Sequence, residues 1–176
     1  MLYAFMSAKQ DAGPEGMLHR GKAAGAGMKT AGNTNETSIL AEQISEILIV
    51  DDDLEFINDL LAAWIPPAPV VVAHSGKDAV EYLSRRMPSL VLLDLTLPHY
   101  LAPRDDMEGL SILKYVTARY GKRCPVIVVS RESSPEMQAR AKSLEASGFI
   151  GKPVSIKALE ESIERTIGTL KRERSL

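Results

Sequence analysis

EILIVDDDLEFINDLLAAWIPP, residues 46–67, changes character twice in quick succession. Glu46–Val50 is a short aliphatic, β-branched run that ends on three aspartates. Leu54–Ile65 then sets Leu54, Ile57, Leu60, Leu61 and Trp64 at helical spacing. Asp53 stands at the N-cap position, where a carboxylate accepts an orphan N–H of the first turn. Pro66 and Pro67 stop the helix, because proline lacks an N–H and clashes with the preceding turn. A strand followed by a capped helix is the repeating unit of an α/β fold.

The alternation continues downstream. Val70–Ala73 is a second apolar run, and Lys77–Arg86 reads as a helix with Ala79, Val80 and Leu83 on one face. Leu90–Leu95 is a third run, followed by a helix over Met107–Tyr120 through Leu110, Leu113 and Val116. Val126–Val129, entered through Pro125, is the fourth. Pro135–Ala146 is a polar helix with proline at a favoured first-turn position. Phe149 and Ile150 lie in a short fifth run. Ile156–Leu170 is amphipathic, with Ile156, Leu159, Ile163, Ile167 and Leu170 inward and Ser155 as its cap. The runs are apolar throughout, as parallel strands buried on both faces should be. Right-handed crossovers place helices on both sides. The expectation is a flavodoxin-like, doubly wound α/β domain over residues 45–172, its five-stranded parallel sheet in the order 2-1-3-4-5, with 173–176 a short tail.

Residues 1–44 differ. Six of the twelve glycines lie here, and no period of 2 or 3.6 persists. This part reads as a solvated, disordered extension. Lys and Arg total 21 against 23 Asp and Glu, so no basic field is available to hold nucleic acid by charge alone. No apolar stretch approaches the roughly 20 residues that cross a bilayer. A single cysteine, Cys124, excludes an internal disulfide framework and a multi-cysteine zinc site. With no apparent secretory signal, a reducing, cytoplasmic setting is expected.

In an open parallel sheet, ligands bind outside the carboxyl ends of the strands. The first strand ends in Asp51, Asp52 and Asp53, the third in Asp94, the fourth in Ser130 and the fifth in Lys152, followed by Pro153. The first and third strands are neighbours in the expected order, so Asp51, Asp52 and Asp94 should converge. Crowded carboxylates raise one another's pKa unless something offsets their charge. A largely hydrated Mg²⁺ (or Mn²⁺) and Lys152 would do so. Ser130 adds a hydroxyl. A carboxylate, a hard cation, a lysine and a hydroxyl make a place for a phosphoryl group, and the carboxylate can itself be the nucleophile.

These residues give the sequence a specific resemblance. ILIVDDD (47–53), LLDLTLP (92–98), Gly109, PVIVVS (125–130) and GFIGKP (148–153) resemble the receiver domain of two-component response regulators, the CheY-like superfamily, over about residues 45–172. AHSGKDAVEYL (73–83) fits more softly, and Ser130 and Lys152 are separated by the family's spacing. The resemblance implies phosphorylation of Asp94 by a histidine kinase or histidine phosphotransfer protein. It implies Mg²⁺ on the side chains of Asp52 and Asp94 and the backbone carbonyl of Thr96, with Asp51 acting through water. It makes Ser130 and Lys152 catalytic partners of Asp94, and Ser130 with Phe149 the switch pair. It also implies a cis Lys152–Pro153 bond.

Three departures stand out. Ten residues, His99–Glu108, separate Pro98 from Gly109, a longer loop than the family usual. Arg131 follows Ser130 where a small residue is common; with Thr96 and Glu132 it is expected to tune the lifetime of the aspartyl phosphate. Phe149 lacks the phenol of the commoner tyrosine. Only 24 residues follow Lys152, too few for an output domain, so a stand-alone receiver is expected. Its signal would pass to a partner protein through the fourth helix, fifth strand and fifth helix, a face that can also form homodimers. It would be a switch that catalyses only its own phosphotransfer and dephosphorylation. The rival readings are a phosphorylation-independent binding module and, for DLT (94–96), a phosphatase of the haloacid dehalogenase type. The latter wants a second aspartate where Thr96 stands.

Overall fold

The computed structural model describes residues 44–102 and 107–174. Its strands are β1 (Ile47–Val50), β2 (Val70–Ala73), β3 (Leu90–Leu93), β4 (Val126–Ser130) and β5 (Gly148–Gly151). Its helices are α1 (Leu54–Ala63), α2 (Gly76–Arg85), α3 (Glu108–Tyr120), α4 (Pro135–Ser143) and α5 (Ile156–Arg174). A 3₁₀ turn, Gly121–Arg123, closes α3. The sheet is wholly parallel, in the order β2-β1-β3-β4-β5. This is the flavodoxin-like, doubly wound α/β architecture expected from the sequence.

Strand side chains alternate between faces, and the two faces bury different helices. Leu48, Val50, Val91, Leu93, Val126 and Val128 pack with α2, α3 and α4. Ile47, Ile49, Leu90, Leu92, Ile127 and Val129 pack with α1 and α5. β1, β3 and β4 are buried along their whole length, while the edge strands β2 and β5 are mostly half-buried.

Several boundaries differ from expectation. α1 ends at Ala63, because Trp64 is extended and Ile65 precedes Pro66, which disfavours helical backbone. Of its apolar positions, Ile57, Leu60 and Trp64 are buried, but Leu54 and Leu61 face solvent, 59% and 36% exposed. α4 stops at Ser143 rather than Ala146, where Glu145 takes a left-handed conformation (φ 65°). α5 runs on through Arg174, so 173 and 174 belong to the helix. Ile44 joins the α1–α5 core rather than the N-terminal extension. Residues 1–43 of that extension, Arg104, Asp105 and Asp106 of the long loop, and the Leu170 side chain lie outside the described residues. No described helix is long and apolar enough to cross a membrane.

Candidate functional site

The site is assembled at the carboxyl edge of β1, β3, β4 and β5. Asp51 continues β1 by one residue, its N–H donating to the Ala73 carbonyl at 3.0 Å. Asp94 does the same for β3, donating to the Val50 carbonyl at 2.9 Å. Both carboxylates are therefore held at the top of the central sheet, and their side chains are only 2% and 7% exposed. Lys152 leaves β5 with its N–H on the Ser130 carbonyl at 2.9 Å. Its side chain, 4% exposed, reaches back so that Nζ donates to Asp51 Oδ2 at 2.6 Å and Asp94 Oδ2 at 2.8 Å. The Lys152–Pro153 peptide is cis.

The remaining oxygens are also engaged. Asp51 Oδ1 accepts the Asp53 N–H at 3.0 Å, and Asp94 Oδ1 accepts the Thr96 N–H at 3.1 Å. Burial pushes the Asp51 carboxyl above the usual aspartate range; Lys152 and the Asp53 N–H oppose that push, and the Asp94 charge adds to it. Ser130 is fully buried at the end of β4, its Oγ accepting the Glu132 N–H at 3.3 Å. Phe149, half-buried on β5, packs against the core beneath α2–α4.

Asp52 differs. It follows Asp51 directly but is exposed. Of the three carboxylates expected to converge, Asp51 and Asp94 are buried on one ammonium and Asp52 is exposed. Among the described residues no three acidic, histidine or cysteine side chains form a ready-made metal cage. The charge balance nonetheless suits a divalent cation: this edge carries three carboxylates, Asp51, Asp52 and Asp94, and the Lys152 ammonium is shared by two of them. All the available donors are oxygen, as Mg²⁺ prefers, and a cation that keeps several waters needs only one or two of them.

Asp53 caps α1 as expected, accepting the Phe56 N–H at 3.0 Å. It has a second role that the sequence reading missed. Arg131 Nη2 lies 2.5 Å from Asp53 Oδ2, tying the β4–α4 loop to the start of α1. The Phe56 N–H first, and Arg131 second, hold the Asp53 carboxyl below its ordinary range.

Two other residues escaped the sequence reading. Phe56 lies outside the apolar set read from the sequence, yet its ring centroid lies 4.0 Å from Lys152 Nζ. Glu108 is completely buried, and its carboxylate accepts the N–H groups of Tyr100, Leu101 and Ala102 at 2.8–2.9 Å. It therefore anchors the first part of the long loop beside Asp94. The available signal was a helix start whose N-cap, Met107, offers no side-chain oxygen. Gly109 explains itself: a Cβ there would meet the Asp94 carbonyl oxygen at 2.2 Å and Leu95 Cα at 2.4 Å. Only glycine lets α3 begin this close to the end of β3.

Known proteins share the sequence pattern and the fold. A model of the response regulator receiver domain matches residues 47–164. The transcriptional regulatory protein ZraR of Escherichia coli O157:H7 is 29% identical over 125 residues, 69% of this chain and 26% of that protein. A protein-glutamate methylesterase/protein-glutamine glutaminase of Rhodopseudomonas palustris (strain BisB5) is 33% identical over 132 residues, 71% of this chain and 31% of that protein. The chain thus spans about a quarter to a third of the length of these curated relatives. A solved CheY-like receiver domain protein from Methanospirillum hungatei JF-1 superposes with a TM-score of 0.61 at 25% identity, covering 74% of this chain and 98% of that one. With the parallel sheet, the paired aspartates and the lysine on one edge, the chain belongs to the response regulator receiver domain family.

Proposed function

We propose that this chain is a phosphorylation switch of a two-component phosphorelay in which Asp94 accepts a phosphoryl group from a histidine kinase or histidine phosphotransfer protein. The observation that carries this reading is Lys152 Nζ between two buried carboxylates drawn from the ends of β1 and β3. An Asp94 oxygen attacks phosphorus, and the O–P bond forms as the P–N bond of the phosphohistidine breaks and its electron pair returns to the imidazole. Lys152 is already within reach of the group that gains charge, so it needs no reorganisation to stabilise it. The Ser130 hydroxyl turns toward the phosphoryl oxygens, and Phe149 moves further into the core. The added charge and acceptors select one of two packings, a population shift.

Asp52, Asp94 and the Thr96 carbonyl are the groups that would hold Mg²⁺ or Mn²⁺, with Asp51 acting through water. When bound, the cation neutralises charge on the transferred oxygens. Thr96, beside Asp94, and Arg131 and Glu132, just after Ser130, tune how long the phosphate survives. The signal passes to a partner protein through α4, β5 and α5, a surface that also suits homodimers. A cytoplasmic location fits a phosphorelay component.

The direct test is intact-protein mass spectrometry after incubation with Mg²⁺ and acetyl phosphate, with Asp94→Asn in parallel. One added phosphoryl group on the wild type and none on the variant is the expected result. If the wild type neither gains mass nor binds beryllofluoride, Asp94 is not an acceptor and the chain is a phosphorylation-independent binding module.

A further inference from the structure

We infer that Phe56 is a positioning residue for phosphoryl transfer, acting through the Lys152 ammonium. The inference goes beyond the identification of Asp94 as acceptor but rests on it.

An ammonium offers three N–H groups. Lys152 directs two of them to Asp51 and Asp94. The Phe56 ring lies on a further side, 4.0 Å from Nζ to its centroid. The ring face carries the negative part of an aromatic quadrupole and attracts a cation, the more so once water is excluded. Water is excluded here, since the lysine side chain is 4% exposed. Below the cluster, Leu60, Leu92, Val129 and Leu159 join Phe56 around a small apolar space that also touches both aspartates. Phe56 also lines an open cleft with Asp53, Arg131, Lys152 and Pro153. The ring thus covers one side of the ammonium at the border of that cleft.

The placement follows from the helix start. Phe56 is the third helical residue, and its N–H is fixed by the Asp53 carboxylate at 3.0 Å. Helical Cα–Cβ bonds tilt toward the N-terminus, so this ring leans toward the carboxyl edge of the sheet. An aliphatic side chain there would fill the core equally well but would give the ammonium nothing to rest on. The ring attracts the ammonium without taking a hydrogen bond from it, so both carboxylate bonds are kept. Lys152 is therefore fixed in advance where the arriving phosphoryl group needs it.

Fluorinated phenylalanines test this, because each added fluorine weakens the ring face while barely changing its size. In the full-length chain, Phe56 is replaced by mono-, di- and trifluorophenylalanine, and separately by leucine and tyrosine. The phosphorylation rate with Mg²⁺ and acetyl phosphate, the affinity for beryllofluoride and the thermal midpoint are measured for each. The expected result is a stepwise fall in rate and affinity across the fluorine series, reaching between about twofold and about tenfold, with the midpoint nearly constant. Phe56→Tyr keeps near wild-type behaviour, and Phe56→Leu resembles the trifluoro variant. A flat series in a chain that takes up phosphate overturns the inference alone, as does a midpoint that falls in step with the rate. A wild type that neither takes up phosphate nor binds beryllofluoride overturns the acceptor reading and this inference with it.

Discussion

Two ion clusters flank the same edge of the sheet, and their distances are nearly alike. Lys152 lies 2.6 and 2.8 Å from Asp51 and Asp94. Arg131 lies 2.5 Å from Asp53. Their surroundings differ: the lysine side chain is 4% exposed and the arginine side chain 73%. An exposed pair gains little, because water screens the attraction and ordering two side chains costs entropy. A buried pair costs much to desolvate, and removing one partner leaves uncompensated charge in a medium that cannot solvate it. The separation of two charged atoms therefore says little about their worth; the burial around them decides it.

The sharpest way to break the buried cluster is Lys152→Met. It should cost about 3–5 kcal/mol at pH 7, read from urea unfolding. The sign of the pH dependence is fixed by Asp51. Its carboxyl lies above the ordinary 3.8 in the fold, so protonation favours the folded state, and ionisation costs stability as pH rises through the raised value. The deficit of Lys152→Met should therefore be largest near neutral pH and shrink as pH falls toward 4. A deficit independent of pH would mean that the lysine stem, not its charge, carries the effect.

Cys124 provides a second readout. Burial pushes its thiol up to about 12 from an ordinary 9.0, so almost no thiolate exists at pH 8 in the fold. Labelling at pH 8 should be slow in the wild type and accelerate in Lys152→Met in proportion to the unfolded population. Fast labelling of the native wild type would contradict that burial.

A third buried carboxyl group sharpens the comparison, because its described partners are backbone N–H groups. Glu108 is compensated by three backbone N–H groups of the loop. Glu108→Ala leaves those donors without their acceptor and should cost about 1–3 kcal/mol in thermal or urea unfolding. It should also loosen residues 100–102, seen as faster amide exchange there. Unchanged exchange would show that the loop holds itself.

The smallest stability effect belongs to the exposed pair. Arg131→Ala should leave the unfolding midpoint within error, while changing the decay rate of phosphorylated Asp94. An unchanged decay rate removes Arg131 from the tuning set. Asp53→Asn keeps a good cap but loses the charge. Because the Asp53 carboxyl is held low, its stabilising contribution is present above pH 3.8 and is lost as pH falls through the lower folded value. The wild type should accordingly lose more stability than Asp53→Asn over that acid range.

The order of the sheet and the identity of the edge residues were legible because both rest on local rules. Apolar runs as short as VVVA and LVLL, separated by long helical periods, read as parallel strands, and the doubly wound pattern with its right-handed crossovers gives the expected order. The residue after each run lands at the carboxyl edge whatever the packing details, which is why Asp51, Asp94, Ser130 and Lys152 could be placed in advance. Asp53 as a cap and the glycine requirement at 109 follow from backbone geometry in the same way.

What the linear order could not decide is which of two adjacent aspartates is buried, that Phe56 faces an ammonium rather than another apolar group, that Arg131 reaches back to Asp53, or that Glu108 anchors the loop. Each of these is a contact between residues far apart in the chain, or a choice between side-chain directions made by the packed surroundings. Asp51 and Lys152 are 101 residues apart. The sequence determines periodicity, capping and which chemistry reaches the edge, because those depend on neighbours a few residues away. Burial, and with it the strength of every charge at the site, is decided only when the helices close over the sheet and exclude water.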